Sequence, residues 1–336
     1  MTHPWTERAL ELHRACGPID LHADTPVLLR WGYDLGRRHE PPLPQAALGF
    51  HVDLPRLREG GLAGQFFALP SWPVRLFGRG PGAVVDSLLD ALEKAVRRYP
   101  DQMVLARSAG ELQAARASGR LAAFCGIEGA HALEGRLERA AHFASRGVRY
   151  LGLLHFSANQ AGAPAFGRGR DDRQALTDFG RELVDELNRL RVLVDLAHIN
   201  RAGFLEAAAR SRAPVIVSHT GASAVNPHWR NIDDDQIRAV AATGGCVGII
   251  FSRRFVGSDH LQGVCEHLLH LARVGGDDLP ALGSDWDGFV TPPEGLEDAS
   301  RLPNLTAALL ERGVSESRIR KILSENVVRV LAAGFD

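Results

Sequence analysis

Short apolar runs alternate with helical stripes along most of this chain. Eight runs recur in order: Pro18–Asp24, Gly64–Leu69, Leu121–Glu128, Val148–His155, Val192–His198, Pro214–His219, Gly245–Phe251 and Leu279–Asp285. Several are almost continuously apolar, as in Val192-Leu193-Val194-Asp195-Leu196 and Pro214-Val215-Ile216-Val217. Strands buried on both faces read this way, whereas half-buried strands alternate. Between them lie stripes with a 3.6-residue period. Val85, Leu88, Leu89, Leu92, Val96 and Tyr99 form one, stopped by Pro100, and Phe179, Leu183, Val184, Leu187 and Leu190 form another. Asp233 to Ala242 starts with three acids, which suit the positive end of a helix, and stops before Gly244-Gly245. Val264 to Val274 and Ser315 to Leu331 complete the set. Alternating strand and helix signals predict a parallel sheet, and eight such units in this length predict an α/β fold of the (β/α)8 TIM-barrel type. No linker or repeat divides the chain, so residues 1–336 are expected to form one domain. Thr25 to Pro55 and Pro70 to Gly82, the latter with Trp72 and Phe77, read as irregular segments over the barrel mouth, candidates for a lid or pocket wall.

The chemistry sits at the ends of the runs. His22 and Asp24 are two residues apart, so in a strand both side chains reach the same face. Glu128, His198, His219 and Asp285 each close a separate run. In a parallel barrel all strand C-terminal ends share one rim, and these six residues would converge there. Three imidazoles and three carboxylates on one rim read as a two-metal hydrolytic centre. Taken singly, each has a plainer reading: Glu128 as a helix cap or rim ion pair, and a lone histidine as a hydrogen-bonded core residue. Asp195 reads as a buried partner or an orienter of a neighbouring ligand. Asp285 is placed to take a proton from activated water and return it to a leaving amine, and Asp287 reads as a supporting or turn residue.

Composition narrows the field. The chain is 45% hydrophobic and 24% charged, with a net charge of −1, and no basic block marks a nucleic-acid or anionic-membrane surface. Only Lys94 and Lys321 are lysines, which argues against Schiff-base chemistry and against a carbamylated lysine bridging two metals. Cys16, Cys125, Cys246 and Cys265 show no metal or disulfide spacing and read as reduced, buried thiols. There is no phosphate-binding G-x-x-x-x-G-K-[ST] loop, no G-x-S-x-G elbow and no H-E-x-x-H helix. With no apolar signal core and no membrane-length run, a cytoplasmic protein is expected.

The motifs themselves resemble one family. They are Asp20-Leu21-His22-Ala23-Asp24, the segment Leu57 to Phe67, and Ile127-Glu128-Gly129-Ala130-His131-Ala132-Leu133. Gly147 to His155, Asp195-Leu196-Ala197-His198, Val217-Ser218-His219 and Arg230-Asn231 follow, then Gly283 to Gly288 and Pro293 to Asp298. Nearly the whole chain is similar to the membrane or renal dipeptidases, peptidase family M19, among the amidohydrolase-like barrels. The resemblance implies two zinc ions, with His22 and Asp24 on one, His198 and His219 on the other, and Glu128 bridging. It implies that Arg230 grips the substrate's C-terminal carboxylate, that His155 approaches the scissile carbonyl oxygen, and that Asp285 shuttles the proton. A metal-bridging hydroxide would then hydrolyse dipeptides, including some with a C-terminal D-residue. The alternative is another amidohydrolase activity at the same centre, on N-acyl amino acids, lactones or cyclic amides. The residues around the strand-4 histidine, Leu154 and Phe156-Ser157-Ala158-Asn159, depart from the family pattern and bear on side-chain specificity. A small dipeptide partner, no nucleic acid, no membrane and a homodimer are expected.

Overall fold

The computed structural model describes residues 7–40, 49–72 and 79–335. Nine strands run β1 (Ile19–Ala23), β2 (Gly64–Pro70), β3 (Met103–Leu105), β4 (Leu121–Glu128), β5 (Val148–Gly152), β6 (Leu193–Asp195), β7 (Ile216–Thr220), β8 (Cys246–Ile249) and β9 (Pro280–Leu282). All pair in parallel. Eight of them close a barrel in the order β1, β2, β4, β5, β6, β7, β8, β9 and back to β1. The predicted (β/α)8 architecture is therefore present. The extra strand β3 pairs with the first residues of β4, Met103 opposite Leu121, and β5 takes over that edge from Cys125 onward.

One apolar cluster draws residues from most strands, among them Leu21, Phe66, Phe124, Tyr150, Leu193 and Ile216, and fills the barrel. The larger cluster joins the strands' other faces to surrounding helices, through residues such as Leu88, Phe143, Leu183 and Leu268. One close approach inside the barrel depends on glycine. Gly126 stands opposite Tyr150 in the β4–β5 register, and a Cβ there would lie 2.2 Å from the Tyr150 ring.

Several expected boundaries shift. The runs ending in His155, His198 and Asp285 leave the ladder early, at Gly152, Asp195 and Leu282. Their polar ends turn away from the sheet: His198 and Asp285 adopt left-handed backbone, with φ of 66° and 60°. For non-glycine residues this conformation costs on the order of 1–3 kcal/mol and gathers at functional sites. The segment after Asp24 is not wholly irregular, since a helix, Thr25–Arg30, starts at once with proline in its first turn, and a second, Leu54–Glu59, follows. Of those lid candidates, residues 41–48 and 73–78, with Phe77, lie outside the described residues. The acid-rich start at Asp233 is a capping box with Gln236, opening the helix Asp234–Ala242. The predicted helix from Ser315 to Leu331 is interrupted by a π turn, Lys321–Glu325. Among the described residues no helix is long and apolar enough to cross a membrane.

Candidate metal centre

The strand ends bring the six rim residues together. His22 lies in β1 and Asp24 just after it, Glu128 ends β4, and His219 lies in β7. His198 and Asp285 arrive from the turns after β6 and β9, and His155 from the turn after β5. All seven are buried. Their donor atoms fall into three overlapping triples, His22–Glu128–His219, Glu128–His155–His198 and His22–Asp24–Asp285, each within 4.8 Å. Glu128 and His22 are each shared between two triples. His219 sits against His22, ring centroids 3.8 Å apart, and His155 joins Glu128 and His198.

The spacings bracket those of ligands around an ion. The His22 Nε2 atom lies 3.8 Å from Glu128 Oε1, 3.8 Å from Asp285 Oδ1 and 3.9 Å from Asp24 Oδ1. Glu128 Oε1 lies 3.4 Å from His219 Nε2, and Oε2 lies 3.5 Å from His155 Nε2. These separations exceed ordinary hydrogen bonds. A tetrahedral zinc with bonds of roughly 2.0–2.1 Å sets its ligands about 3.3–3.4 Å apart. The His198 contacts are tighter, 2.8 Å to Glu128 Oε1 and 3.1 Å to His219 Nε2. His22 Nε2 and Asp24 Oδ1 are buried with no hydrogen-bond partner. Buried polar atoms without partners are costly and rare, and a cation at the centre would satisfy both.

Electrostatics point the same way. Burial pushes the imidazoles toward their neutral, lone-pair form: His22 to about 4, and His198 and His219 well below their ordinary value. Burial, then the like charge of Glu128, pushes Asp24 and Asp285 well above the usual carboxylate range. Burial also works to raise Glu128, but His155, His198 and His219 around it outweigh that and hold it well below. Three acids cannot all ionise in so small a buried space without cations between them. The donor set therefore fits divalent metal.

Supporting contacts fix the imidazoles. The Ser218 hydroxyl donates to Asp195 Oδ2 at 2.7 Å, so it accepts from His219 Nδ1 at 2.9 Å and leaves His219 Nε2 with a lone pair toward Glu128. Tyr150 Oη lies 2.9 Å from His22 Nδ1. Tyr150 and Ser218 were not singled out from sequence. Asp287 accepts from Thr25 Oγ1 at 2.7 Å and from the His51 amide at 2.9 Å, bracing the turn beside Asp24. Arg230 is buried at the edge of the cluster, its Nη2 donating to the His219 carbonyl at 2.6 Å and lying 3.3 Å from His198 Nε2. It also lines a cavity of about 230 Å³. All eight candidate residues are thus gathered in one place.

Comparison with known proteins gives a consistent answer. The family described as membrane dipeptidase (peptidase family M19) matches residues 6–334. A metallopeptidase from Rhodobacter sphaeroides, solved with a phosphinate mimic of the dipeptide L-Ala-D-Ala, is 29% identical with a TM-score of 0.84, over 95% of this chain and 99% of that one. A dipeptidase described as a family M19 metallopeptidase is 31% identical with a TM-score of 0.84, over 95% of this chain and 98% of its own. An amidohydrolase from Pseudomonas aeruginosa is 25% identical with a TM-score of 0.81, over 97% and 99%.

Proposed function

The chain belongs to the membrane dipeptidase family, peptidase family M19, as a metallo-dipeptidase, and from that premise we propose a binuclear zinc enzyme that splits dipeptides, including some with a C-terminal D-residue. The observation that carries the reading is the meeting of His22, Asp24, Glu128, His198, His219 and Asp285 beside one buried guanidinium, Arg230. His22 and Asp24 would hold one zinc, His198 and His219 the other, and Glu128 would touch both. Bound zinc supplies Lewis acidity and makes water a nucleophile near neutral pH. The D-residue is supported by the L-Ala-D-Ala mimic held by the Rhodobacter relative. One catalytic domain spanning residues 1–336 is supported by the length of the family match.

The protein's own groups do the rest. Arg230 would hold the substrate's C-terminal carboxylate with the guanidinium N–H groups not already given to the His219 carbonyl, and because the ligand cluster lies beside it, a dipeptide would place its scissile bond there. His155, 3.5 Å from Glu128, faces the carbonyl oxygen and donates to it as negative charge develops. Asp285 takes the proton from the attacking water and passes it to the departing nitrogen. Because Asp285 Oδ1 also lies 3.8 Å from His22 Nε2, metal content is the measurement that separates a proton carrier from a ligand.

A panel of L,L and L,D dipeptides, their C-terminal amides and the matching N-acyl amino acids, offered to zinc-loaded protein, tests the reading. Free dipeptides should turn over and their amides should be poor. Equal cleavage of dipeptides and amides would remove the carboxylate clamp. Preference for N-acylated substrates would move the activity to another amidohydrolase class.

A further inference from the structure

Among the described residues four large apolar side chains are strongly exposed: Trp31, Phe156, Phe166 and Phe289. Each lies in a segment that follows a barrel strand at its C-terminal end: Trp31 after β1, Phe156 and Phe166 after β5, and Phe289 after β9. Single exposed apolar residues need no explanation, but a cluster of them beside a site marks surface that a ligand can cover. Two of them gather beside Arg230. Phe156 meets the His198 ring edge-on, centroids 4.9 Å apart. Phe166 stacks on Trp229 at 4.2 Å and 19°, tying the segment after β5 to the one after β7, and Trp229 directly precedes Arg230. Phe166 remains 46% exposed despite that contact.

The cavity of about 230 Å³ is bounded by Trp229, Arg230 and His198, and it reaches Ala165, the neighbour of Phe166 in the chain. Its other charges are already matched. Arg170 pairs with Asp172 at 2.6 Å, and Arg201 pairs with Asp233 and Asp235 at 2.5 and 2.7 Å. An ionised substrate side chain would find no uncompensated partner there, whereas an apolar one would meet the Trp229 ring and, beyond the cavity, the Phe166 ring stacked on it.

We propose that Phe156, Phe166 and Trp229 form the subsite for the side chain of the substrate's C-terminal residue, and that this subsite selects large apolar, above all aromatic, side chains. The proposal rests on the reading of Arg230 as the carboxylate clamp, since Arg230 and Trp229 line the same cavity. Covering a phenylalanine-sized side chain rather than none is worth roughly ten- to a hundredfold in kcat/KM.

The test is a series of dipeptides with N-terminal L-Ala and C-terminal Gly, Ala, Leu, Phe, Glu or Lys, in L and D forms, with zinc-loaded wild type and the variants Trp229→Leu, Phe166→Ala and Phe156→Ala. Wild type should favour Phe and Leu over Gly by about tenfold or more in kcat/KM. Each variant should pull that ratio toward one, mainly through KM. Phe166→Ala alters an exposed side chain and keeps the test open if Trp229→Leu folds poorly. A flat wild-type series, a preference for Glu or Lys, or variants that leave the ratio intact would overturn the subsite while leaving a dipeptidase. No turnover anywhere in the series would overturn the dipeptidase reading and the subsite together.

Discussion

Asp20 and Asp24 sit four residues apart on either side of His22, and both are buried, yet their surroundings differ in kind. Asp20 accepts the Ser284 amide at 2.7 Å, the Ser284 hydroxyl at 2.7 Å and Gln65 Nε2 at 2.6 Å. Asp195 is similarly served by the Ser218 amide at 2.8 Å and the Ser218 hydroxyl at 2.7 Å. Burial raises both acids, but these donors limit the rise to about 6. Asp24 keeps an oxygen without a partner, and together with Asp285 it is pushed well above the ordinary range by burial and by Glu128. Burial of an acid is therefore no mark of function by itself. A buried acid whose acceptors are filled organises its neighbours, and a group of acids left unfilled around neutral imidazoles asks for a cation.

That contrast is broken most sharply at Glu128. Glu128→Gln removes the one carboxylate shared between triples. Taking one partner from a buried charge cluster costs roughly 3–5 kcal/mol, about 10²–10⁴-fold in affinity or rate. Elemental analysis and dipeptide turnover should both fall; normal metal content and rate would show that Glu128 holds no metal. Asp285→Asn comes next. We expect kcat to drop by about 10²–10⁴ with metal content retained, and metal loss would make Asp285 chiefly a ligand. Arg230→Ala should lower kcat/KM for dipeptides by about 30- to several-thousandfold, from roughly 2–5 kcal/mol for truncating one partner of a buried pair. An unchanged kcat/KM would discard the clamp.

The smallest effect probes the filled acids. Asp195→Asn should weaken metal binding about 10- to 100-fold, because it loosens the Ser218 hydroxyl that orients His219. Its stability effect should depend on pH. Asp195 is raised to about 6 in the fold, so its protonated form is favoured there. The stabilisation is complete below about pH 4 and is lost as pH rises through 6. In metal-free protein the stability gap between wild type and variant should shrink by about 3 kcal/mol from pH 4 to pH 7. Urea unfolding at the two pH values measures it, and a gap that widens would reverse the assignment.

The barrel was legible because strands buried on both sides leave near-continuous apolar runs, and the rim residues because histidine and carboxylate at the ends of such runs are expensive without a purpose. Strand ends were not legible. Leu196-Ala197-His198 continues the apolar pattern in sequence, but His198 leaves the ladder in a left-handed turn. Strand β3 escaped notice because it is three residues long and only Met103 is buried. The support from Tyr150 and Ser218 depends on partners far away in sequence. A glycine amid the apolar run Phe124 to Ile127 was the one signal available, since Gly126 makes the room that Tyr150 occupies. The resemblance, not the pattern, supplied the roles of His155 and Arg230. It expected His22 with Asp24 and His198 with His219, whereas the geometry also sets His219 against His22 and His155 against His198.

The central claim is that this cluster binds a pair of metal ions that turnover requires. Titrating zinc into chelator-stripped protein while following hydrolysis of one good dipeptide tests it most directly. Activity should be absent at the start and rise until about two equivalents per chain are bound. Full activity without metal, or a plateau at a single equivalent, would contradict it.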